Sequence, residues 1–200
     1  MTVLTLIRHG ETDWNRDRRI QGSTDIPLND TGRAQARAAA AALRDTLDLT
    51  QPVSVVASDL SRAAETAAII AHELGLDAPA LTPALRERSY GVAEGMDIAQ
   101  FRAEYGETWA RAVPGAETLP DLRARGLAAL ERAVADVRRQ TAPAAASLIV
   151  VAHGGLIREL IAHASGGALP LAGERLQNGS AHTMLYERER LRLLSYAGVA

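Results

Sequence analysis

Two stretches of this chain end alike. Residues 4–10 read LTLIRHG and residues 148–154 read LIVVAHG. Each is a continuous apolar run rich in β-branched residues, of the kind buried on both faces of a parallel sheet; strands are predicted over 3–7 and 147–152. Each run then delivers a histidine followed by a glycine, which lets the backbone turn sharply and approach a ligand closely. Open α/β sheets bind ligands at the carboxyl ends of their strands. A chain built on two such runs must present His9 and His153 at strand ends, and if the strands are parallel both reach one edge.

The intervening chain supplies the rest of such a sheet. Residues 16–30 read as loop, punctuated by Gly22, Pro27 and Asn29. Thr31-Gly32 opens an alanine-rich helix over 33–47, and Gln51-Pro52 breaks it. A second buried strand over 53–57 ends at Ser58-Asp59, both good N-caps, and a helix over 60–74 comes next, closed by Gly75. A weak strand is expected at 80–82, before Pro83. Residues 84–120 are irregular, with a short helix over 98–105, and carry most of the aromatics: Tyr90, Phe101, Tyr105 and Trp109. A helix over 119–140 precedes the second His-Gly strand, and another over 156–164 succeeds it. Strand-like segments at 183–186 and 191–196, joined by a charged turn, read as an antiparallel hairpin at the sheet edge. The expected fold is α/β: a three-layer sandwich with a mostly parallel central sheet flanked by helices. It is read as one domain over 1–200, with 84–120 an excursion that covers the substrate.

Composition narrows the chemistry. All 22 basic residues are arginine. Without lysine, Schiff-base catalysis and the lysine-bearing phosphate loop are both excluded. Without cysteine, thiol nucleophiles and disulfides are excluded too. A net charge of −2 gives no sign of a nucleic-acid partner. No charged-then-apolar leader and no bilayer-length apolar run is visible, so a cytoplasmic protein without membrane partners is expected.

Three strand ends then bring function together. The first brings Arg8 and His9. The second brings Ser58 and Asp59, with Arg62 in the first turn of the next helix, where backbone N–H groups favour an anion. The third brings His153. Two histidines, two arginines and a helix N-terminus around one point describe a phosphate site, because arginine grips phosphate through paired hydrogen bonds. Ser58 and Asp59 are read as helix caps, Glu11 as a residue orienting Arg8, and His72, His163 and His182 as surface or packing histidines. His72-Glu73 lacks the second histidine of a zinc-binding helix, and no Gly-x-Ser-x-Gly elbow accompanies His153-Gly154-Gly155.

These residues resemble the histidine phosphatase superfamily, the phosphoglycerate-mutase-like enzymes, over nearly the whole chain. RHGETDWN looks like the family's RHG signature; Gln21-Gly22, Asp25, Pro27-Leu28, Gly32 and Gln35-Ala36 fit the family pattern downstream of it. ASDLSRAAETA is similar to the segment carrying the second arginine, Arg62, LRERSYGVAEG to that carrying the acid, Glu87, and VAHGGLIREL to the second-histidine segment at His153. The resemblance implies that His9 is the nucleophile, while Arg8, Arg62 and a protonated His153 spread charge over the phosphoryl oxygens. Bound phosphate and nearby carboxylates would raise the pKa of His153; Arg8 and Arg62 would lower it. Glu87 is the implied general acid and then the base for water. From the residues alone Glu94 competes for that role. Asn15, Gln21, Gly22 and Gly154 would line the substrate site. No metal and no cofactor is needed, since the arginines supply the charge.

The partner implied is a small phosphorylated metabolite; assembly state stays open, a homodimer included. Mutases of this kind use a lysine and adjacent arginines in the region spanning 95–115. Here the lysine position looks like Ile98, and Arg102 and Arg111 stand apart. A phosphatase of the broad-specificity or α-ribazole-phosphate branch is expected, glucosyl-3-phosphoglycerate phosphatase included. The alternatives are a bisphosphoglycerate-dependent mutase and a non-catalytic phosphate-binding module. PGAETLPDLRAR resembles a Gly-Gly-Glu-Ser segment with Ala116 and Thr118 replacing its second glycine and its serine, so the role of Glu117 stays open.

Overall fold

A computed structural model of the chain describes residues 1–106 and 113–199. Its main sheet has six strands. β1 (Thr2–Arg8), β2 (Val53–Ser58), β3 (Ala80–Thr82) and β4 (Ser147–Ala152) are parallel to one another; β6 (Ala181–Glu187) and β7 (Arg190–Ser195) run antiparallel at one side. The order is β3-β2-β4-β1-β6-β7. A second, two-stranded sheet pairs β5 (Arg175–Leu176) with β8 (Gly198–Val199), which the sequence pattern did not announce.

β4 is buried on both faces because it is sandwiched on both sides. Leu148, Val150 and Ala152 pack with α5 (Leu119–Thr141) and α6 (Gly154–Ala164) on one face. Ile149 and Val151 pack with α2 (Asp30–Thr46) and α3 (Ser61–Leu74) on the other. This alternation is the period-2 rule acting on a strand with no polar face. A third apolar cluster, built on Ile20, Ala93, Phe101, Tyr105 and Val113, sits in the irregular region around α4 (Ile98–Tyr105). Trp109 and Arg111 lie outside the described residues. Among the described residues no helix is long and apolar enough to cross a membrane.

Element boundaries differ from expectation where caps decide them. α2 starts at Asp30, before the expected glycine, because the Asn29 side chain accepts the Gly32 N–H at 2.9 Å and so satisfies an orphan donor of the first turn. α6 begins at Gly154, two residues before the expected start, with no cap from its own N-cap residue, His153. The loop after His9 contains a short helix, α1 (Asp13–Arg16), held by a capping box between Thr12 and Asn15.

Candidate active site

The register of the sheet builds the site. β1 and β4 are adjacent and parallel, with Arg8 paired to Ala152, so His9 and His153 leave the two strands at the same level. His9 N–H donates to Ala152 O at 3.0 Å. The imidazole centroids stand 5.1 Å apart at an interplanar angle of 57°. On the other side of β4, β2 pairs Ala57 with Val151, which sets the start of α3 and Arg62 beside the same edge.

His9 has one ring nitrogen committed. Its Nδ1 lies 2.6 Å from Gly10 O, so Nδ1–H donates to that carbonyl and Nε2 carries the lone pair. Both rings are buried, His9 3% exposed and His153 not at all. Burial, then Arg62, then Arg8 hold His9 well below the usual histidine range. Burial, then Arg62, His9 and Arg8 do the same to His153. Burial, which the charge balance read from sequence left out, is the leading cause; the protonated His153 expected there is the form with phosphate bound.

The arginines are anchored differently but share one property. Arg62, fully buried, donates through Nη1 to Thr24 O and through Nη2 to Gly22 O, both at 2.8 Å. Arg8 donates through Nη1 to Leu176 O. In each the Nε has no partner. Among the described residues, the buried side-chain nitrogen and oxygen atoms without a hydrogen-bond partner are Arg8 Nε, Gln21 Oε1, Arg62 Nε and both ring nitrogens of His153. An unpaired buried polar group costs about 1–3 kcal/mol. All of these atoms belong to four residues expected at this site, Arg8, Gln21, Arg62 and His153.

The two glutamates occupy unlike positions. Glu87 rests on the N-terminus of α6: Oε2 accepts from Gly155 N–H at 2.8 Å and Oε1 from Leu156 N–H at 3.1 Å. A Cβ on Gly155 would fall 2.6 Å from Glu87 Oε1, so glycine there makes room for the carboxylate. Glu94 braces the loop at 22–24 instead. It accepts the N–H and hydroxyl of both Ser23 and Thr24, and Tyr90 N–H as well. Burial raises its pKa, but the Thr24 and Ser23 hydrogen bonds outweigh this and the net shift is downward. Gly22, at φ +57°, leaves no space for a Cβ against that carboxylate. Glu94 thus holds the loop whose carbonyls anchor Arg62.

Asn15 meets Asn178, which also reaches the His9 carbonyl, and Gly154 lies beside Arg8. Asn15 Oδ1 accepts Thr12 N–H at 3.2 Å, inside the α1 cap, and Gly154 lies against Arg8, an added Cβ falling 3.3 Å from Nε. Three readings are corrected. Glu11 accepts from Asn29 and does not orient Arg8. Asp59 makes a two-pronged ion pair with Arg86, both contacts 2.7 Å, while the α3 N-cap is Leu60 and its first N–H, on Ser61, goes to Asp25. Ser58 reaches only Leu60 N–H, at 3.3 Å. His182 is a packing histidine, fully buried against Tyr196.

Two residues escape sequence reasoning. Thr66 accepts Gly10 N–H at 3.0 Å and donates to Arg62 O at 2.7 Å. Asn178 donates to the carbonyls of His9 and Gly10. An Asn-Gly pair before a strand signals only a turn, and nothing local reveals that it reaches residue 9.

A sequence model of the histidine phosphatase superfamily, branch 1, matches residues 4–198. The chain belongs to the histidine phosphatase superfamily. Within it, the chain is 36% identical over 200 residues to the uncharacterized phosphatase PhoE of Bacillus subtilis, covering 98% of this chain and 94% of that one. It is 37% identical over 199 residues to the probable phosphoglycerate mutase GpmB of an Enterobacter species, covering 94% and 86%. Among solved members, mycobacterial glucosyl-3-phosphoglycerate phosphatase in complex with VO3 superposes with a TM-score of 0.79 at 32% identity, covering 97% and 98%. The mixed, mostly parallel six-stranded sheet is the fold of this family.

Proposed function

We propose that the protein is a phosphomonoesterase that hydrolyses small phosphorylated metabolites through a phosphohistidine on His9. The observation that carries this is the pairing of a histidine whose Nδ1–H is spent on Gly10 O with unpartnered buried donors on Arg8, Arg62 and His153. Nε2 of His9 attacks phosphorus as the ester P–O bond breaks. The departing oxygen takes a proton from the Glu87 carboxyl, and the Glu87 carboxylate then takes one from the water that attacks the phosphohistidine. Arg8 and Arg62 supply the positive charge that a divalent ion supplies in other phosphoryl-transfer sites. An incoming phosphate dianion raises the His153 pKa, so its protonation accompanies binding. Asn15, Gln21, Gly22 and Gly154 line the substrate side, the described part of the 84–120 excursion (84–106 and 113–120) covers it, and the compartment is the cytoplasm.

Hydrolysis is favoured over mutase action because a mutase must retain a bisphosphorylated intermediate, and Ile98 offers no charge where a lysine would serve. His9→Ala should abolish hydrolysis of nitrophenyl phosphate while orthovanadate still binds, and rapid acid-free quenching of the native protein should trap an acid-labile phosphoprotein. Turnover surviving in His9→Ala would overturn the mechanism. Bisphosphoglycerate-stimulated interconversion of phosphoglycerates, faster than their hydrolysis, would overturn the phosphatase reading.

A further inference from the structure

We infer that Glu117 and Arg125 form a positioning pair whose task is to hold Glu87 at the leaving oxygen. This rests on the reading of Glu87 as the acid. Glu87 belongs to a poorly regular segment, between the 3-10 turns Pro83–Leu85 and Gly91–Ala93, with no long helix or strand of its own to fix it. What fixes it is Arg125, which projects from α5. The guanidinium has five N–H donors, and each has a protein acceptor. Nε and Nη2 grip the two carboxylate oxygens of Glu117 at 2.9 and 2.8 Å. Nη1 donates to Ala84 O at 2.9 Å and to Arg86 O at 3.0 Å, and Nη2 reaches Glu87 O at 3.5 Å.

The fork therefore gathers three carbonyls of the segment that ends in Glu87. Arg8 and Arg62 each keep an unpartnered Nε, whereas Arg125 has no donor left for a substrate oxygen. It acts on the scaffold. Glu117 also pins the far side of the acid: its N–H donates to Ser89 O at 2.9 Å and its carbonyl accepts Arg88 Nε at 2.7 Å. Held from both sides, Glu87 meets the Gly155 and Leu156 N–H groups, which fixes its carboxyl at the start of α6, directly after His153. The carboxylate–guanidinium fork needs its planar two-pronged geometry, so neither lysine nor an amide replaces a partner fully.

The test compares Arg125→Lys, Glu117→Gln and Glu87→Gln. It measures kcat/KM over aryl phosphates from dinitrophenyl phosphate, whose leaving group needs no proton, to phenyl phosphate, whose leaving group does. Orthovanadate inhibition and thermal melting are read on the same samples. Both positioning variants should lose about tenfold or more on phenyl phosphate and about threefold or less on dinitrophenyl phosphate, as a displaced acid would. Vanadate inhibition should stay within about threefold, because the phosphoryl site is untouched. Equal losses on every substrate, or weakened vanadate inhibition in parallel, with a steep leaving-group dependence in Glu87→Gln, would overturn the positioning role and leave the acid assignment standing. A flat series in Glu87→Gln would remove the acid itself, and this proposal with it. If Arg125→Lys does not fold, Glu117→Gln carries the same comparison.

Discussion

Asn178 donates its side-chain N–H groups to His9 O at 2.9 Å, across 169 residues of sequence, and to Gly10 O at 3.2 Å. Gly10 O is also the acceptor of His9 Nδ1. One amide thus steadies the carbonyl that sets the tautomer of the proposed nucleophile, and it touches Asn15 Oδ1 as well. Asn178→Ala should lower kcat about tenfold with KM nearly unchanged, since the ring loses orientation and the phosphate site does not. Steady-state kinetics on nitrophenyl phosphate check this; a KM effect alone would place Asn178 on the substrate instead.

The two glutamates should separate in kinetics as they do in space. Glu94→Gln loosens the loop whose Gly22 and Thr24 carbonyls hold Arg62. Vanadate and substrate should then bind roughly tenfold more weakly, the equivalent of about one charged hydrogen bond. The leaving-group dependence of kcat/KM should not change. Glu87→Gln should do the reverse. A steep leaving-group dependence in Glu94→Gln would reassign the acid.

Gly155→Ala tests the close approach under Glu87. A methyl group 2.6 Å from Oε1 must move the carboxylate or the helix start. Alanine is otherwise well tolerated in a helix, so the melting temperature should hardly fall while kcat drops by ten- to a hundredfold, about what a displacement near 1 Å costs. Full activity in this variant would show that Glu87 need not sit where the structure has it.

Stability should depend on pH through three buried histidines. Burial chiefly holds His9 and His153 well below the ordinary range, and it pushes His182 down to about 4. The unfolded chain takes up protons at these sites below about pH 6.5, before the folded one does. Their contribution is complete above that pH and is lost as pH falls, by up to about 1.4 kcal/mol per pH unit for each histidine. Urea midpoints should therefore hold nearly level from pH 7.5 to about 6.5 and fall from there to pH 5. Saturating phosphate should make the fall shallower, because the anion raises the His153 pKa. A flat profile would contradict the buried neutral rings.

The α/β class, most strands and helices, and the residue types that end at the sheet edge are legible in the amino-acid order alone. Apolar runs, Gly and Pro breaks and cap residues act over a few positions, so they are legible locally. The absence of lysine dictated an arginine-made anion site. Sequence separation hid the rest. Packing in three dimensions makes β1 and β4 neighbours in register, which brings His9 and His153 together. It also set Glu87 and Glu94 in unlike places, added burial to the balance of charges around His153, and revealed Asn178 and Arg125. Pairing across distant segments and removal from water are properties of a packed interior, and no short stretch of chain carries them.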